Sequence, residues 1–346
     1  MRTGILFVGG GSIGHIAPAI AIMQAIEMMK PGVRCHFVCL PSQMETEYLQ
    51  KYHCAYSTIN SPRLSFSFPW KFLQAYTQAS RLLTEVEPAV VFSKGGHLSV
   101  PVCLAARRKG IPIVLHESDA MSGYANRIVG RWANAICTGF PLHNPSHKYM
   151  YTGNPIRREV TEGRREEALR ITGLKGNRPV LLVMGGSQGA QALNEAVAEH
   201  CKELLTVCDV IHITGRGKQG ALLQDPRYVQ RDFVYDTLPH FYALADLALS
   251  RAGANALSEL AANGIHTIVV PLRSVGHDHQ QKNAEAALKS GCVLLQQNDL
   301  KKSLVQTVKT CLKSRKSPPT ASEAHTGARS AEASVQIAKK LCEFLD

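Results

Sequence analysis

The residues best suited to chemistry sit where short apolar runs end. Ile5–Val8 leads into Gly9-Gly10-Gly11-Ser12-Ile13-Gly14-His15, and Val180–Met184 leads into Gly185-Gly186-Ser187-Gln188-Gly189-Ala190. Glycine at a strand-to-helix turn lets backbone N–H groups approach a phosphate, and the helix N-terminus that follows favours negative charge. Tight packing alone also demands such a turn. One loop therefore admits both readings, and two in tandem favour anion binding. Neither is a G-x-x-x-x-G-K-[ST] loop, which disfavours ATP-driven phosphoryl transfer. GGGSIG has the shape of a dinucleotide fingerprint, but around Cys39-Leu40-Pro41 no acidic residue is available to a ribose diol.

Two further loops carry polar side chains. Ser250 through Glu259 (SRAGANALSE) opens a helix, and Glu259 lies about one and a half turns into it. A carboxylate there can accept hydrogen bonds from two ribose hydroxyls; a solvated helix residue is the plain alternative. Pro271 through Asn283 gathers Asp278, His279, Gln280, Gln281, Lys282 and Asn283. Clustered amides suit a hydroxyl-rich ligand such as a sugar, and an ordinary polar loop is the alternative. No D-x-D pair or C-x-x-C pair occurs, so neither a metal nor another cofactor is expected.

The elements that must position these loops read as two βα arrays. Expected strands in the first half are Ile5–Val8, Arg34–Cys39, Ala55–Ile59, Ala89–Phe92, Ile113–Leu115 and Ala135–Thr138. In the second half they are Val180–Met184, Val210–Thr214, Asp232–Val234, Leu247–Ser250, Thr267–Val270 and Val293–Leu295. These runs are apolar and rich in β-branched residues, as in parallel strands buried on both faces, and helical patterns separate them. The fold class is α/β, two Rossmann-like domains. The charged stretch Pro155–Arg165 marks the hinge. The expected division is 1–157, 158–330 and a terminal helix over 331–346 that packs back on the N-terminal domain. Ser314–Ser330 is polar, holds a Pro-Pro pair and reads as a loop. In two similar domains the two Gly-rich turns would face one another across a cleft, since ligands of open α/β sheets bind at the carboxyl ends of strands.

A length of 346 residues favours two domains at roughly 100–200 residues each. With 45% hydrophobic and 19% charged residues, a large core is available and disorder is disfavoured. The 39 basic against 27 acidic residues give a net charge of +12 and point to a polyanionic partner. The ten cysteines mostly lie in apolar runs and read as reduced, buried thiols of a cytosolic protein. MRTGILFVGGG lacks the features of a signal peptide, and no apolar run reaches the roughly 18 residues of a membrane span. Any membrane contact is therefore expected to be peripheral. Arg63 through Arg81 (RLSFSFPWKFLQAYTQASR) concentrates Phe66, Phe68, Trp70, Phe72, Leu73 and Tyr76 beside Arg63, Lys71 and Arg81. Exposed, such a stretch docks on anionic lipid; the alternative is that its aromatics fill the core.

Seven motifs in order carry a family resemblance: GGGSIGHIAPAIAI, FSKGGHLSVP, LHESDAMSGYANR, TGNPIR, GGSQGA, SRAGANALSELAANGIHTIVVPL and DHQQKNA. Together they span nearly the whole chain. It resembles glycosyltransferase family 28, the bacterial GT-B enzymes that move N-acetylglucosamine from UDP-N-acetylglucosamine to lipid I. The resemblance implies an inverting transfer to the 4-hydroxyl of the muramoyl sugar, giving lipid II for the cell wall. It implies the cytoplasmic face of the bacterial cell membrane, with an anionic inner leaflet as partner. No nucleic-acid recognition motif is present and the basic residues are scattered, so nucleic acid is not an expected partner.

The resemblance also implies roles. Gly186, Ser187 and Gln188 would contact the donor diphosphate, Arg157 would approach the nucleotide, and Val234 and Tyr235 would read the uracil edge. Glu259 would hold the ribose, and Gln280 and Gln281 the N-acetylglucosamine. Gly10, Gly11, Ser12 and Gly14 would receive the acceptor diphosphate. His15, with an intrinsic pKa of about 6.5, suits the general base, or else it fixes the loop by a hydrogen bond. Asp119 is the rival base, or a helix cap. Three positions depart from the family pattern. Ser12-Ile13 stand where Thr and Gly are usual, Asp119 where His-Glu-Gln-Asn places its amide, and Cys39-Leu40 where Gly-Thr is usual. These changes suggest a divergent branch. They keep open a different lipid acceptor, alongside a UDP-sugar 2-epimerase of the same fold class and a non-catalytic polyanion binder.

Overall fold

The computed structural model describes residues 3–61, 68–143, 145–186, 189–218, 220, 224–272, 278–314 and 321–345, with the backbone alone at residues 68 and 321–331. The chain divides into two compact units, one of Met1–Arg157 with Glu332–Asp346, the other of Arg158–Ala331.

The first unit runs β1 (Ile5–Val8), α1 (Ile13–Met29), β2 (Cys35–Cys39), α2 (Gln43–Lys51), β3 (Ala55–Thr58) and α3 (Phe68–Val86). It continues with β4 (Val90–Ser93), α4 (Ser99–Arg108), β5 (Ile113–Glu117), α5 (Tyr124–Trp132), β6 (Ala135–Thr138) and β7 (Tyr149–Tyr151). Its parallel sheet has the order β3-β2-β1-β4-β5-β6-β7. The strand order reverses between β1 and β4, so the loops after these two strands border the crevice where such sheets take ligands. The central strands β1, β4 and β5 are buried at every position, which is why they are apolar runs rather than alternating, with polar residues (Ser93, His116, Glu117) only at the carboxyl ends of β4 and β5. α1 is nearly apolar all round, and Ile16, Ile20, Ile22 and Ile26 are all buried. α3 instead buries Ala75, Ala79, Leu82 and Leu83 and leaves Trp70 and Leu73 outside.

The second unit runs α6 (Arg165–Thr172), β8 (Val180–Met184), α7 (Gln191–Glu199), α8 (Cys201–Leu204), β9 (Asp209–Ile213), β10 (Tyr228–Arg231) and α9 (Leu238–Leu244). Then come β11 (Leu247–Arg251), α10 (Ala254–Ala262), β12 (Thr267–Val270), α11 (His279–Leu288), β13 (Val293–Leu294), α12 (Leu300–Ser314) and α13 (Ala321–Cys342). α13 crosses from this unit into the first. The second sheet is also parallel, in the order β10-β9-β8-β11-β12-β13, and reverses between β8 and β11.

Three sequence expectations change. The strand expected at Asp232–Val234 lies at Tyr228–Arg231, and the Phe-Val pair follows it in a loop. β10 is an edge strand paired to β9 alone, and it carries Gln230 and Arg231. The three-residue edge strand β7 was not expected at all. The loop expected over Ser314–Ser330 is helical from Ala321; Ala321 through Ser330 holds Ala, Glu and Arg, which are strong helix formers despite their polarity.

Candidate active site

In the first unit, the loops after β1, β4 and β5 converge. Gly9 sits where a Cβ would lie 3.2 Å from the Cβ atoms of both His15 and Lys94. Gly96 has φ +81°, and a Cβ there would lie 3.0 Å from the Gly10 carbonyl oxygen and 3.7 Å from His15 Cε1. Only glycine meets both the backbone angle and the approach. His15, in the first turn of α1, is half-buried, with Nδ1 3.4 Å from Ser12 Oγ. Its pKa is lowered to about 4, chiefly by burial and then by the Lys94 charge, while Asp119 pulls the other way. His15 is thus a neutral imidazole near pH 7, able to accept a proton.

Asp119 is half-buried and its N–H donates to Glu117 Oε1 at 3.1 Å. It does not cap α5, whose N-cap is Gly123, so the capping alternative fails. Glu117 ends β5 and is buried. Asn126 Nδ2 donates to its Oε2 at 2.8 Å, and burial raises its pKa. Ser12 occupies the N-cap of α1 without a side-chain cap bond, and no acidic residue lies in that first turn. Gly10, Gly11, Ser12 and Gly14 therefore surround a helix start free of local carboxylates from its own turn. A carboxylate from elsewhere does reach the loop. Glu45 of α2, 2% exposed, accepts from the Gly11 N–H at 2.7 Å and the Leu40 N–H at 3.0 Å. Gly11 thus spends its amide on the protein itself.

Arg157 belongs to this unit. Nη1 donates to the Tyr52 hydroxyl at 2.6 Å, and the guanidinium lies 5.7 Å from the Tyr48 ring centre. In this arrangement Arg157 ties the segment after β7 to the end of α2.

In the second unit, Ser187 and Gln188 lie outside the described residues. Gly186, beside them, has φ +82° and open space around a would-be Cβ. Val234 and Tyr235 follow β10. Tyr235 packs edge-on against Phe233 at 4.5 Å, and Arg216 Nη2 donates to its hydroxyl at 3.4 Å. Glu259, half-buried on α10, accepts from the Tyr242 hydroxyl at 2.8 Å. At the start of α11, Gln280 Oε1 accepts from the Leu272 N–H at 2.9 Å, and Gln281 donates to Glu285 at 3.4 Å. These groups stand at or beyond the carboxyl ends of β10, β11 and β12. Two residues of these loops, given no role from sequence, hold that edge. Buried Arg251 donates to the Val270 carbonyl and to Gln297, and buried Asn283 donates to the Ala252 carbonyl.

Of the aromatic stretch, Phe66 lies outside the described residues and Phe68 is known by its backbone, the first residue of α3. Trp70 is 76% exposed and Leu73 53%, Phe72 and Tyr76 are half-buried, and Lys71 and Arg81 are exposed. Trp70 does not fill the core. Among the described residues no helix is long and apolar enough to cross a membrane, and no group of three or more His, Cys, Asp or Glu is placed to hold a metal. No disulfide joins the ten cysteines, and six of them are buried.

Comparison with known proteins agrees with this layout. The N-terminal domain model of glycosyltransferase family 28 matches residues 5–138, and its C-terminal domain model matches residues 180–340. A protein of Shouchella clausii named UDP-N-acetylglucosamine--N-acetylmuramyl-(pentapeptide) pyrophosphoryl-undecaprenol N-acetylglucosamine transferase is 37% identical over 351 aligned residues. The alignment covers 97% of this chain and 98% of that one. The fold is shared with the crystal structure of Acinetobacter baumannii MurG, with TM-score 0.72, 24% identity and coverage of 98% and 99%. It is shared as well with a UDP-GlcNAc 2-epimerase from Neisseria meningitidis, with TM-score 0.69, 15% identity and coverage of 98% and 100%. The fold is thus GT-B, and the ordered match of both domain models, joined to a relative aligned over nearly its full length, shows that the chain belongs to glycosyltransferase family 28.

Proposed function

We propose that the protein transfers N-acetylglucosamine from UDP-N-acetylglucosamine to the 4-hydroxyl of the muramoyl sugar of lipid I, with inversion at the anomeric carbon, giving lipid II for peptidoglycan synthesis. The observation that carries this reading is the full-length relative named for that transfer. The site chemistry supports it. One in-line displacement needs a base for the acceptor hydroxyl and positive potential for departing UDP. Neutral His15 supplies the base, with Asp119 beside it to stabilise the imidazolium that forms. The start of α1 with Gly10, Ser12 and Gly14 offers the acceptor diphosphate a positive helix end. In the second unit, Gly186 with Ser187 and Gln188 receives the donor diphosphate and the leaving charge. Glu259 holds the ribose, Val234 and Tyr235 the uracil, and Gln280 and Gln281 the sugar hydroxyls.

The protein works at the cytoplasmic face of the cell membrane, docked through Trp70, Phe72 and their neighbours on α3. The exposed indole and the flanking Lys71 and Arg81 support this placement.

The test incubates the full chain with labelled UDP-N-acetylglucosamine and a lipid I analogue. Label in the lipid product, lost in His15→Ala, is the expected result. No label, under conditions where another family 28 enzyme works, refutes the reading. Sugar conversion without any acceptor would point instead to an epimerase, which the shared fold permits.

A further inference from the structure

Beneath the Gly-rich loop lies a charge that the transfer chemistry above does not use. Lys94 follows β4, is 2% exposed, and among the described residues its Nζ has no hydrogen-bond partner. A buried ammonium with three unsatisfied donors is costly, and such groups persist where they act on something else. Lys94 is close to His15, because Gly9 removes the Cβ that would separate them. It interacts with Asp119 and Glu117, which pull its pKa up, while burial holds it down at about 8. Its charge disfavours protonation of both His15 and His116.

We propose that Lys94 is a positioning residue that couples the seating of an anionic acceptor group at the Gly-rich loop to the readiness of His15 to take a proton. In the free site the ammonium opposes any positive charge on His15. An acceptor diphosphate at the start of α1 offsets that ammonium. His15 then becomes a stronger base at the moment the acceptor hydroxyl arrives. The proton passes from that hydroxyl to the imidazole as the oxygen attacks the anomeric carbon and UDP leaves with the bonding pair. A base matched to the operating pH is the more effective one, so the coupling raises activity only with acceptor in place.

The other charges around this centre are accounted for. His15 comes from α1. Glu45 comes from α2 and is already bound to two backbone amides. His97 lies in the loop before α4 and disfavours protonation of His15. His116, Glu117 and Asp119 come from β5 and its loop. Glu117 is held by Asn126 of α5 and the Asp119 N–H. Lys94 is therefore the cation through which an arriving anion reaches His15.

The test is an NMR titration of the His15 imidazole in the full chain between pH 3 and 8, with inorganic pyrophosphate as the probe. Pyrophosphate binding is read from the Gly10 and Gly14 amides, and the imidazole is assigned with His15→Gln. In the wild type alone His15 should titrate near pH 4. With saturating pyrophosphate its midpoint should rise by about one pH unit or more, a tenfold gain in proton affinity. In Lys94→Met the midpoint should be raised without pyrophosphate and move by less than half as much on adding it. Equal movement in both proteins, no movement in the wild type, or no binding at the loop overturns the proposal. If Lys94→Met does not fold, Lys94→Gln takes its place, and an unmoved His15 in the wild type overturns the proposal without either variant. The proposal rests on the acceptor reading above, and the two fail separately. Lipid transfer with an unmoved His15 sinks only the coupling, whereas a moving His15 without lipid transfer sinks only the activity.

Discussion

Replacing Trp70 with alanine should detach the protein from anionic membranes while leaving its fold intact. The side chain of tryptophan carries about 200 Å², and Trp70 is 76% exposed. About 150 Å² is therefore available to lipid, worth about 4 kcal/mol at 25 cal/mol per Å² if wholly immersed. Interfacial helices sink only part-way. Half immersion gives about 2 kcal/mol, or about a 30-fold loss in partition coefficient. The assay is co-sedimentation with vesicles containing one-third anionic lipid, at low and high salt. Salt should weaken both proteins, since Lys71 and Arg81 each add about 1 kcal/mol near a charged surface. An exposed substitution of this kind changes stability by less than about 0.5 kcal/mol, so the melting curve should hold. Equal binding of Trp70→Ala and wild type to these vesicles would refute the assignment of α3 as the docking face.

Other perturbations probe the two units separately. His212 is buried with its pKa lowered to about 4, chiefly by burial, and bonds Tyr228 and Asn194. Because the folded pKa lies below the unfolded value of about 6.5, the unfolded chain binds more protons between these values. Stability present above pH 6.5 should fall as pH drops toward 4, by about 2 kcal/mol at pH 5 from this group; urea midpoints should show it, and His212→Gln should flatten that slope. Gly96→Ala places a Cβ 3.0 Å from the Gly10 carbonyl at φ +81°. It should cost about 1–3 kcal/mol and slow transfer at least about tenfold; an unchanged melting temperature would contradict the strained turn. Glu259→Gln keeps an oxygen for the Tyr242 hydroxyl yet loses a charged acceptor. Calorimetry should show UDP-N-acetylglucosamine affinity reduced by about 10- to 100-fold, and unchanged affinity would remove Glu259 from the ribose.

The fold was legible where burial forced a simple pattern. β1, β4, β5, β8, β9, β11 and β12 are buried at every position, and their sequences are mostly apolar, with the polar residues chiefly at strand ends. The pattern failed at the sheet edges. β7 and β10 each pair with one neighbour, so Tyr149 and Arg231 can stay partly exposed. There the apolar signal migrates into the following loop, and Phe233-Val234 looked more strand-like than the true strand before it. α13 failed differently. Helix propensity in Ala321 through Ser330 is local, but polarity masked it because no buried stripe accompanies those residues in sequence.

The loops of the site were legible, while the charges that tune them were not. A Gly-rich turn advertises itself through local spacing, because the backbone geometry it serves is local. A buried charge is defined by partners far along the chain. The resemblance at TGNPIR implies a nucleotide ligand in Arg157, and nothing in that motif signals its hydrogen bond to Tyr52, 105 residues earlier. Glu45 carries no sequence signal, since only the packing of α2 against the β1 loop turns a polar helix residue into the acceptor for the Gly11 amide. Lys94 lies within FSKGGHLSVP, where nothing in the local sequence marks it as buried. The reversal of strand order between β1 and β4 buries it against His15. The same reversal that makes a crevice for a ligand thus seals a cation beneath the crevice floor. The Asp119 carboxylate, which replaces the amide usual in the family, is what that cation requires. A neutral side chain at 119 would leave Lys94 with Glu117 alone as a counter-charge, and Glu117 is already committed to Asn126 and a backbone amide. Lys94 and Asp119 are therefore coupled: Asp119→Asn should be better tolerated in Lys94→Met than in the wild type, as a double-mutant cycle on transfer rate would show.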